Sequence, residues 1–318
     1  MTAPVVVVGA GMAGLACARR LAEAGLSPVV LDKGRGIGGR MATRRVTLDT
    51  SEPLQFDHGA QYVTARDPAF AALLDGMAAQ GAAGLWRDGS GRRRWVGLPG
   101  MSGLPRAMST GLDVRQSVQV TGLRPAGHGW ALETTAGPME AQAVVLTMPA
   151  PQAAALIGLD HPLAAQLRAV RMDPCLTLMA AFPADAPTPF LSEACASGPL
   201  AWIAQDSSKP ARPGGPTAWV AQASPDWSEG HLEEAPATLA ARLLPLLARR
   251  LGLDPALACH ASAHRWRFAR VASPLGRAFL ARGNLWLGGD WCLGARVEAA
   301  WQSGTAIAED ILARAAAG

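Results

Sequence analysis

Three glycines in Val5-Val6-Val7-Val8-Gly9-Ala10-Gly11-Met12-Ala13-Gly14 follow an apolar β-branched run and precede the Ala/Leu-rich stretch Leu15 to Ala24. This order reads as a buried parallel strand turning into a helix, and the chemistry such a turn supports is phosphate binding. Gly9 permits the tight bend, Gly11 lets the backbone approach a pyrophosphate, and Gly14 lets helix and strand pack closely. Because the helix N-terminus points free N–H groups at the phosphates, a dinucleotide is the expected ligand.

A carboxylate completes the site. Gly25 closes the helix, Pro28-Val29-Val30-Leu31 makes a second strand, and Asp32 stands at its end, where an acid grips both hydroxyls of an adenosine ribose. The same charge repels a 2′-phosphate, so this first site is not built for NADP. Directly after it comes Lys33-Gly34-Arg35-Gly36-Ile37-Gly38-Gly39-Arg40-Met41, a basic glycine-rich loop that a simple nicotinamide dehydrogenase does not need. It resembles the loop that continues the FAD site in two-domain flavoproteins of the monoamine oxidase type. There the glycines give backbone access and the arginine, here Arg40, counters diphosphate charge.

The elements that must hold these groups are bounded by composition. With 318 residues, 49% apolar and 17% charged, the chain is long enough for one large or two ordinary domains. Its net charge of +4 comes almost wholly from arginine, and the one tight cluster, Arg92-Arg93-Arg94, reads as a solvated loop. A broad basic face for nucleic acid is therefore not expected. The cysteines Cys17, Cys175, Cys195, Cys259 and Cys292 are odd in number and scattered without a C-x-x-C. That pattern fits a reduced compartment, the cytoplasm, with neither a metal site nor a disulfide scaffold. The N-terminal apolar stretch carries phosphate-binding glycines and no preceding basic segment, so neither a signal peptide nor a membrane span is expected.

Along the chain, Asp67-Pro68 starts a helix through Gln80, with Asp67 as N-cap. Val114 to Leu123 reads as one strand with Trp130 to Thr134 as its neighbour, around the Gly127-His128-Gly129 turn. Ala143 to Pro149 reads as another buried parallel strand, whose end at Thr147 faces the dinucleotide. From Gln152 to about Arg277 helix-like and strand-like segments alternate, and Lys209 to Pro216 reads as a mobile loop. Leu285 to Trp291 is a strand ending in the acid Asp290, and Arg296 to Gly304 begins the C-terminal helix.

Five segments together resemble the renalase-like flavoproteins, in particular the bacterial ones. They are the acid-to-G-G-R-M loop, G-A-Q-Y-x-T-A-R-D from Gly59, W-V-G-x-P-G-M from Trp95, H-R-W-R-x-A from His264, and G-D-W-C-L-G-x-R-V-E-x-A-W from Gly289. The resemblance implies an α/β fold. It would be a Rossmann-like FAD-binding domain of the p-hydroxybenzoate hydroxylase/monoamine oxidase type, with an inserted α+β substrate domain. The FAD-binding domain would be discontinuous over 1–66, 98–151 and 278–318, and the substrate domain would span 67–97 and 152–277.

The resemblance further implies a non-covalent FAD along Gly9, Ala10, Gly11, Met12, Ala13 and Gly14, then Asp32, Lys33, Gly38, Gly39, Arg40 and Met41. His58, Gly59, Val120, Thr147, Gly289, Asp290 and Val297 would complete its contacts, with Asp290 at the ribityl or pyrophosphate region. Val297 would open a helix whose dipole meets the flavin's pyrimidine edge. Gly59, Ala60, Gln61, Tyr62, Trp95, Val96, Gly97, His264 and Arg296 would face the substrate.

Such proteins oxidise 2- and 6-dihydro isomers of NAD(P) and hand the electrons through FAD to dioxygen, giving hydrogen peroxide. A small-molecule dinucleotide and dioxygen are then the expected partners, on a monomer or homodimer. The rival is a flavin amine oxidase, which usually holds a water on a lysine and flanks the amine with aromatics. The chain has two lysines, Lys33 and Lys209. Arg296 stands where an aromatic would be, so a protonated amine is expected to be repelled. A third reading is a non-catalytic flavin or dinucleotide sensor.

Overall fold

A computed structural model describes residues 4–48 and 53–317. The valine run forms strand β1 (Val5–Val8), which passes through Gly9 into helix α1 (Met12–Glu23) and on to β2 (Val29–Leu31). Helix α1 begins three residues earlier than Leu15, because Gly14 lies inside its first turn and lets that turn sit on the strand end. A hairpin of β3 (Thr43–Thr47) and β4 (Pro53–Asp57) follows, then α2 (Pro68–Ala79). Asp67 caps α2 as expected, its side chain accepting from the N–H groups of Ala69 and Phe70 at 2.8 and 3.2 Å.

A second hairpin, β5 (Ala83–Trp86) with β6 (Arg94–Gly97), leads to α3 (Gly103–Ser109) and β7 (Asp113–Arg115). Next come β8 (Val120–Ala126), β9 (Gly129–Thr134), β10 (Met139–Ala141) and β11 (Ala143–Leu146). The expected single strand from Val114 to Leu123 is in fact two strands in different sheets. Between them Ser117 turns to φ +58°, and the N–H groups of Ser117 and Val118 bond the carbonyls of Gly34 and Asp32 at 2.9 Å. Those bonds pull the chain over Asp32 and out of the first sheet.

Helices α4 (Ala150–Ile157) and α5 (Ala164–Leu167) precede β12 (Arg171–Phe182), β13 (Ser192–Ala194), β14 (Leu200–Gln205) and β15 (Thr217–Ala223). The chain closes with α6 (Pro225–Gly230), α7 (Pro236–Leu251), β16 (His260–Ser273), β17 (Leu280–Arg282), β18 (Leu285–Leu287) and α8 (Val297–Ala317).

The first sheet has the order β17-β18-β11-β1-β2-β7, parallel except for β17. The chain runs from β1 outward to β2 and later returns to β11 on the other side, so β1 is the switch point where open sheets bind ligands. The carboxyl ends of β1, β2, β11 and β18 therefore bring Gly9, Asp32, Thr147 and Gly288 to one edge. Val6, Val7, Val30, Val144 and Val145 are fully buried in the sheet, each burial contributing about 1.5–3 kcal/mol.

An antiparallel sheet, β13-β14-β15-β12-β16, forms the second layer system. One face packs on α7 through Leu239, Leu243 and Leu247, spaced i, i+4, i+8 on one stripe of that helix. On the other face Leu54 and Phe56 of β4 pack with Met179, Ala181, Ala218 and Val220. This contact sets the residues after β4 against β16. Among the described residues, no helix is long and apolar enough to cross a membrane.

Candidate active site

At the β1–α1 turn close packing leaves no room for side chains. A Cβ on Gly14 would lie 1.9 Å from the Gly9 carbonyl oxygen, and Gly9 itself has φ +116° with the Thr147 hydroxyl beneath it. Thr147 Oγ1 donates to the Val8 and Gly9 carbonyls at 3.0 and 3.2 Å, so it fastens the turn rather than reaching outward. In front of the turn the situation reverses. A Cβ at Gly11 would meet no protein atom within 4 Å, and one at Gly39 would meet only the Gly11 Cα, at 3.8 Å. The two glycines thus keep clear the path that a pyrophosphate would take along the backbone.

Asp32 is held in place by that same backbone. Its oxygens accept from the N–H groups of Ala10 and Gly34, both at 2.6 Å. Each carboxylate oxygen keeps a free lone pair for a ribose hydroxyl. Met12, Ala13 and Met41 are buried beneath the turn, Val120 is buried at the start of β8, and Lys33 is exposed.

Arg40 is placed differently from the expectation that it simply counters diphosphate charge. Its Nη1 and Nη2 donate to Oδ2 and Oδ1 of Asp290 at 2.8 and 2.6 Å, and Nη1 also reaches the Ala269 carbonyl. Two expected cofactor residues from opposite ends of the chain therefore form one planar ion pair. Asp290 opens a short 3₁₀ turn three residues beyond β18. Helix α8 starts at Val297 and lies so close to α1 that a Cβ on Gly304 would be 1.9 Å from the Ala13 carbonyl. Its first turn is fixed by buried Glu298, which accepts from the N–H groups of Arg66 and Asp67 at 2.6 and 2.7 Å. Glu298 also pairs with Arg296, so the positive charge expected at Arg296 is neutralised two residues away.

Gly59 lies against the loop that carries Arg40. Ala60 N–H bonds the Arg40 carbonyl at 2.8 Å, and a Cβ on Gly59 would stand 2.0 Å from that oxygen. The Gly59 carbonyl accepts from Gln61 Nε2 at 3.2 Å and Gln222 Nε2 at 2.7 Å. Gln61 is buried with its amide fully engaged, so it braces the segment from behind instead of presenting its amide to a substrate. His58, His264 and Trp266 meet as an aromatic trio, with ring centroids 4.4 to 5.2 Å apart. Trp266 Nε1 donates to the His58 carbonyl at 2.7 Å, while His58 Nδ1 is buried with no partner. Burial, then the neighbouring His264 and Arg44, push His58 down to about 4. Burial and Arg44 do the same to His264, also to about 4, so both rings are neutral near pH 7.

Tyr62 packs against Trp202 with centroids 5.7 Å apart. Against both rings lies Arg94, which the sequence alone places in a solvated loop. Its guanidinium lies 4.2 Å over Tyr62 and 5.0 Å over Trp202, and it is paired with buried Asp88. Strand alternation places Arg94 and Val96 on one face of β6 and Trp95 and Gly97 on the other. Trp95 accordingly lines a small recess with Ala65, Ala71, Asp75 and Arg93, apart from the Tyr62 cluster. That alternation was the available signal for Arg94.

The expected mobile loop from Lys209 is anchored at its start. Lys209 Nζ donates to Asp206 at 2.6 Å and Asp57 at 3.0 Å, and Arg212 binds both of the same carboxylates. Burial pushes Asp57 up, yet Lys209, Arg212, the Met101 N–H and the Thr43 hydroxyl hold its carboxyl below the usual range. Among the described residues no group of three or more His, Cys, Asp or Glu could hold a metal ion.

A Rossmann edge with a glycine cradle, an acid at the end of β2 and an opposing helix start is the geometry of a dinucleotide-binding protein. Residues 7–77 match the model of an NAD(P)-binding Rossmann-like domain, and residues 77–312 match that of flavin containing amine oxidoreductases. The chain belongs to the flavin containing amine oxidoreductase family, and its cofactor is FAD.

Solved structures share the fold across nearly the whole chain. One, assigned as a protoporphyrinogen oxidase from Exiguobacterium sp. 255-15, superposes with TM-score 0.79 at 15% identity, covering 98% of this chain and 99% of that one. A putrescine oxidase variant gives 0.72 at 16%, covering 99% of each chain. Cyclohexylamine oxidase from Brevibacterium oxydans IH-35A gives 0.69 at 12%, covering 98% and 100%.

Proposed function

We propose that the protein is a renalase-like FAD-dependent oxidase of isomeric dihydronicotinamide dinucleotides, the 2- and 6-dihydro forms of NAD(P), acting in the cytoplasm. One observation carries the choice of substrate over an amine. The rings of Tyr62 and Trp202, tilted 57° to one another, are both engaged by the guanidinium of Arg94 and so are not open to an amine cation. Gly59 to Tyr62 would lie beside the flavin ring, with the neutral His58 and His264 behind them.

Lys209 is in no position to hold a water at the flavin, since its ammonium is enclosed by Asp57, Asp206 and Gln61. A dihydropyridine needs no such base, because it is already a ready hydride donor. When bound, FAD would supply the two-electron acceptor for the ring's hydride; overall, the dihydropyridine, dioxygen and one solvent proton would give NAD(P)⁺ and hydrogen peroxide. The chain's own work is to stack the ring at transfer distance, exclude water and stabilise the charge that develops. The start of α8 at Val297 would contribute its dipole to that stabilisation, and Arg40 with Asp290 would fix the cofactor's polar stem.

Product analysis tests this reading. The purified, FAD-loaded protein should convert each accepted isomer in air to NAD(P)⁺ and hydrogen peroxide in equal amounts. Amine turnover with no dihydronicotinamide turnover would replace it with the amine oxidase reading.

A further inference from the structure

Four charges are buried together where the substrate-side sheet meets the cofactor-side hairpin. The side chains of Lys209, Asp57 and Asp206 are 0% exposed and that of Arg212 2%. Two carboxylates and two cations alternate, so the cluster is neutral, and Arg212 also reaches the Pro99 carbonyl. Asp57 Oδ1 accepts from the Met101 N–H at 2.8 Å and the Thr43 hydroxyl at 2.7 Å. Two of the three ammonium hydrogens of Lys209 are spent inside this square. The third points at Gln61 Oε1, 3.4 Å away.

That third bond gives the glutamine a direction. An ammonium group only donates, so the acceptor end of the Gln61 amide must face it. The NH₂ end is then turned toward carbonyl oxygens, those of Asp57 and Gly59. With Gln222 as the second donor, both lone pairs of the Gly59 carbonyl are used. The other side of the same peptide, Ala60 N–H, is bound to the Arg40 carbonyl, and the Arg40 side chain is clamped on Asp290. A chain of directed bonds thus runs from Lys209 through Gln61 and the Gly59–Ala60 peptide to the G-G-R loop. Were the amide reversed, its oxygen would oppose two carbonyls.

We infer that Lys209 is a positioning residue for the cofactor: together with the Asp57 and Gly59 carbonyls it holds the Gln61 amide in one polarity, and so sets the Gly59–Ala60 peptide against the FAD loop. This role does not depend on which substrate reduces the flavin.

The test measures FAD affinity and the visible circular dichroism of the bound flavin. Lys209→Met alone would strand two buried carboxylates on one arginine, so it is combined with Asp206→Asn, which leaves Asp57 and Arg212 as a balanced pair. This double variant, and separately Gln61→Leu, should each raise the FAD dissociation constant about tenfold, the size of one lost buried hydrogen bond. Because both cut one relay, all three substitutions together should give the same shift in affinity and in the flavin band. Independent effects that multiply to about a hundredfold would reduce Lys209 to a structural part and overturn the inference. Gln61→Leu leaves the ion cluster whole, and wild-type affinity and dichroism in that variant would also overturn it. Failure of dihydronicotinamides to reduce a normally loaded wild type would refute the proposed substrate and leave these binding results standing.

Discussion

Arg40 and Asp290, 250 positions apart in the chain, meet through two parallel hydrogen bonds of 2.8 and 2.6 Å. A fork-to-fork pair of this kind depends on the planar guanidinium and cannot be reproduced by an ammonium group. The Asp290 side chain is 10% exposed and that of Arg40 28%, so the pair is partly desolvated. Arg40→Lys should therefore lose FAD affinity nearly as fully as Arg40→Met. Destabilisation should be about 2 kcal/mol, below the range for a fully buried pair broken on one side. Fluorescence titration with FAD and urea unfolding measure the two effects.

Helix α8 and helix α1 touch through backbone at Gly304. Gly304→Ala forces a methyl group to 1.9 Å from the Ala13 carbonyl, and main chain cannot step aside. The helices must separate, at a cost of about 3 kcal/mol, the upper range for overpacking. A lowered melting temperature together with weakened FAD binding is expected, because α1 carries the Gly9–Gly14 turn proposed to hold the cofactor. Gly25→Ala offers the contrast: it meets no atom, and its φ of +86° makes the penalty one of backbone strain alone, with the cofactor still bound.

Among the described residues, Arg94 is the one cation paired with Asp88, whose side chain is 1% exposed. Arg94→Met should destabilise the fold by about 3 kcal/mol through the stranded carboxylate. Adding Asp88→Asn should recover most of that loss, while the change in substrate KM caused by removing the cation from Tyr62 persists. Denaturant midpoints and steady-state kinetics on the two variants separate stability from recognition.

His58 and His264 stand at about 4 in the folded protein against an ordinary 6.5. The unfolded chain takes up protons first as pH falls, so stability is fully present above about 6.5 and is lost progressively toward about 4. His264→Phe should flatten that decline, measured by urea unfolding at several pH values. Neither ring changes charge between pH 6 and 8 on these values, so the rate of flavin reduction should be nearly level there, and a single histidine removal should lower it modestly.

The parts of this molecule written in local sequence were readable in advance. The valine run, Gly9 to Gly14 and Asp32 act within one strand-turn-helix unit, where spacing alone dictates geometry. Asp67 capping α2 is of the same kind. What escaped depends on partners distant in the chain. Arg94 reads as surface because the two residues before it are arginines, and only the pairing of β6 turns it inward against Tyr62 and Trp202. Lys209 sits in a proline-rich stretch whose composition suggests mobility, yet Asp57, 152 residues earlier, makes it a buried anchor. The break at Ser117 likewise comes from bonds to Asp32 and Gly34, which no propensity of Val114 to Leu123 contains.

Anaerobic mixing of the FAD-loaded protein with each candidate reductant tests the central proposal most directly, with loss of the oxidised flavin's visible absorbance as the readout. Rapid bleaching by 2- or 6-dihydronicotinamide dinucleotides, and a spectrum unchanged by putrescine or cyclohexylamine, is the predicted result. Bleaching by the amines with no response to either dihydronicotinamide isomer would contradict it.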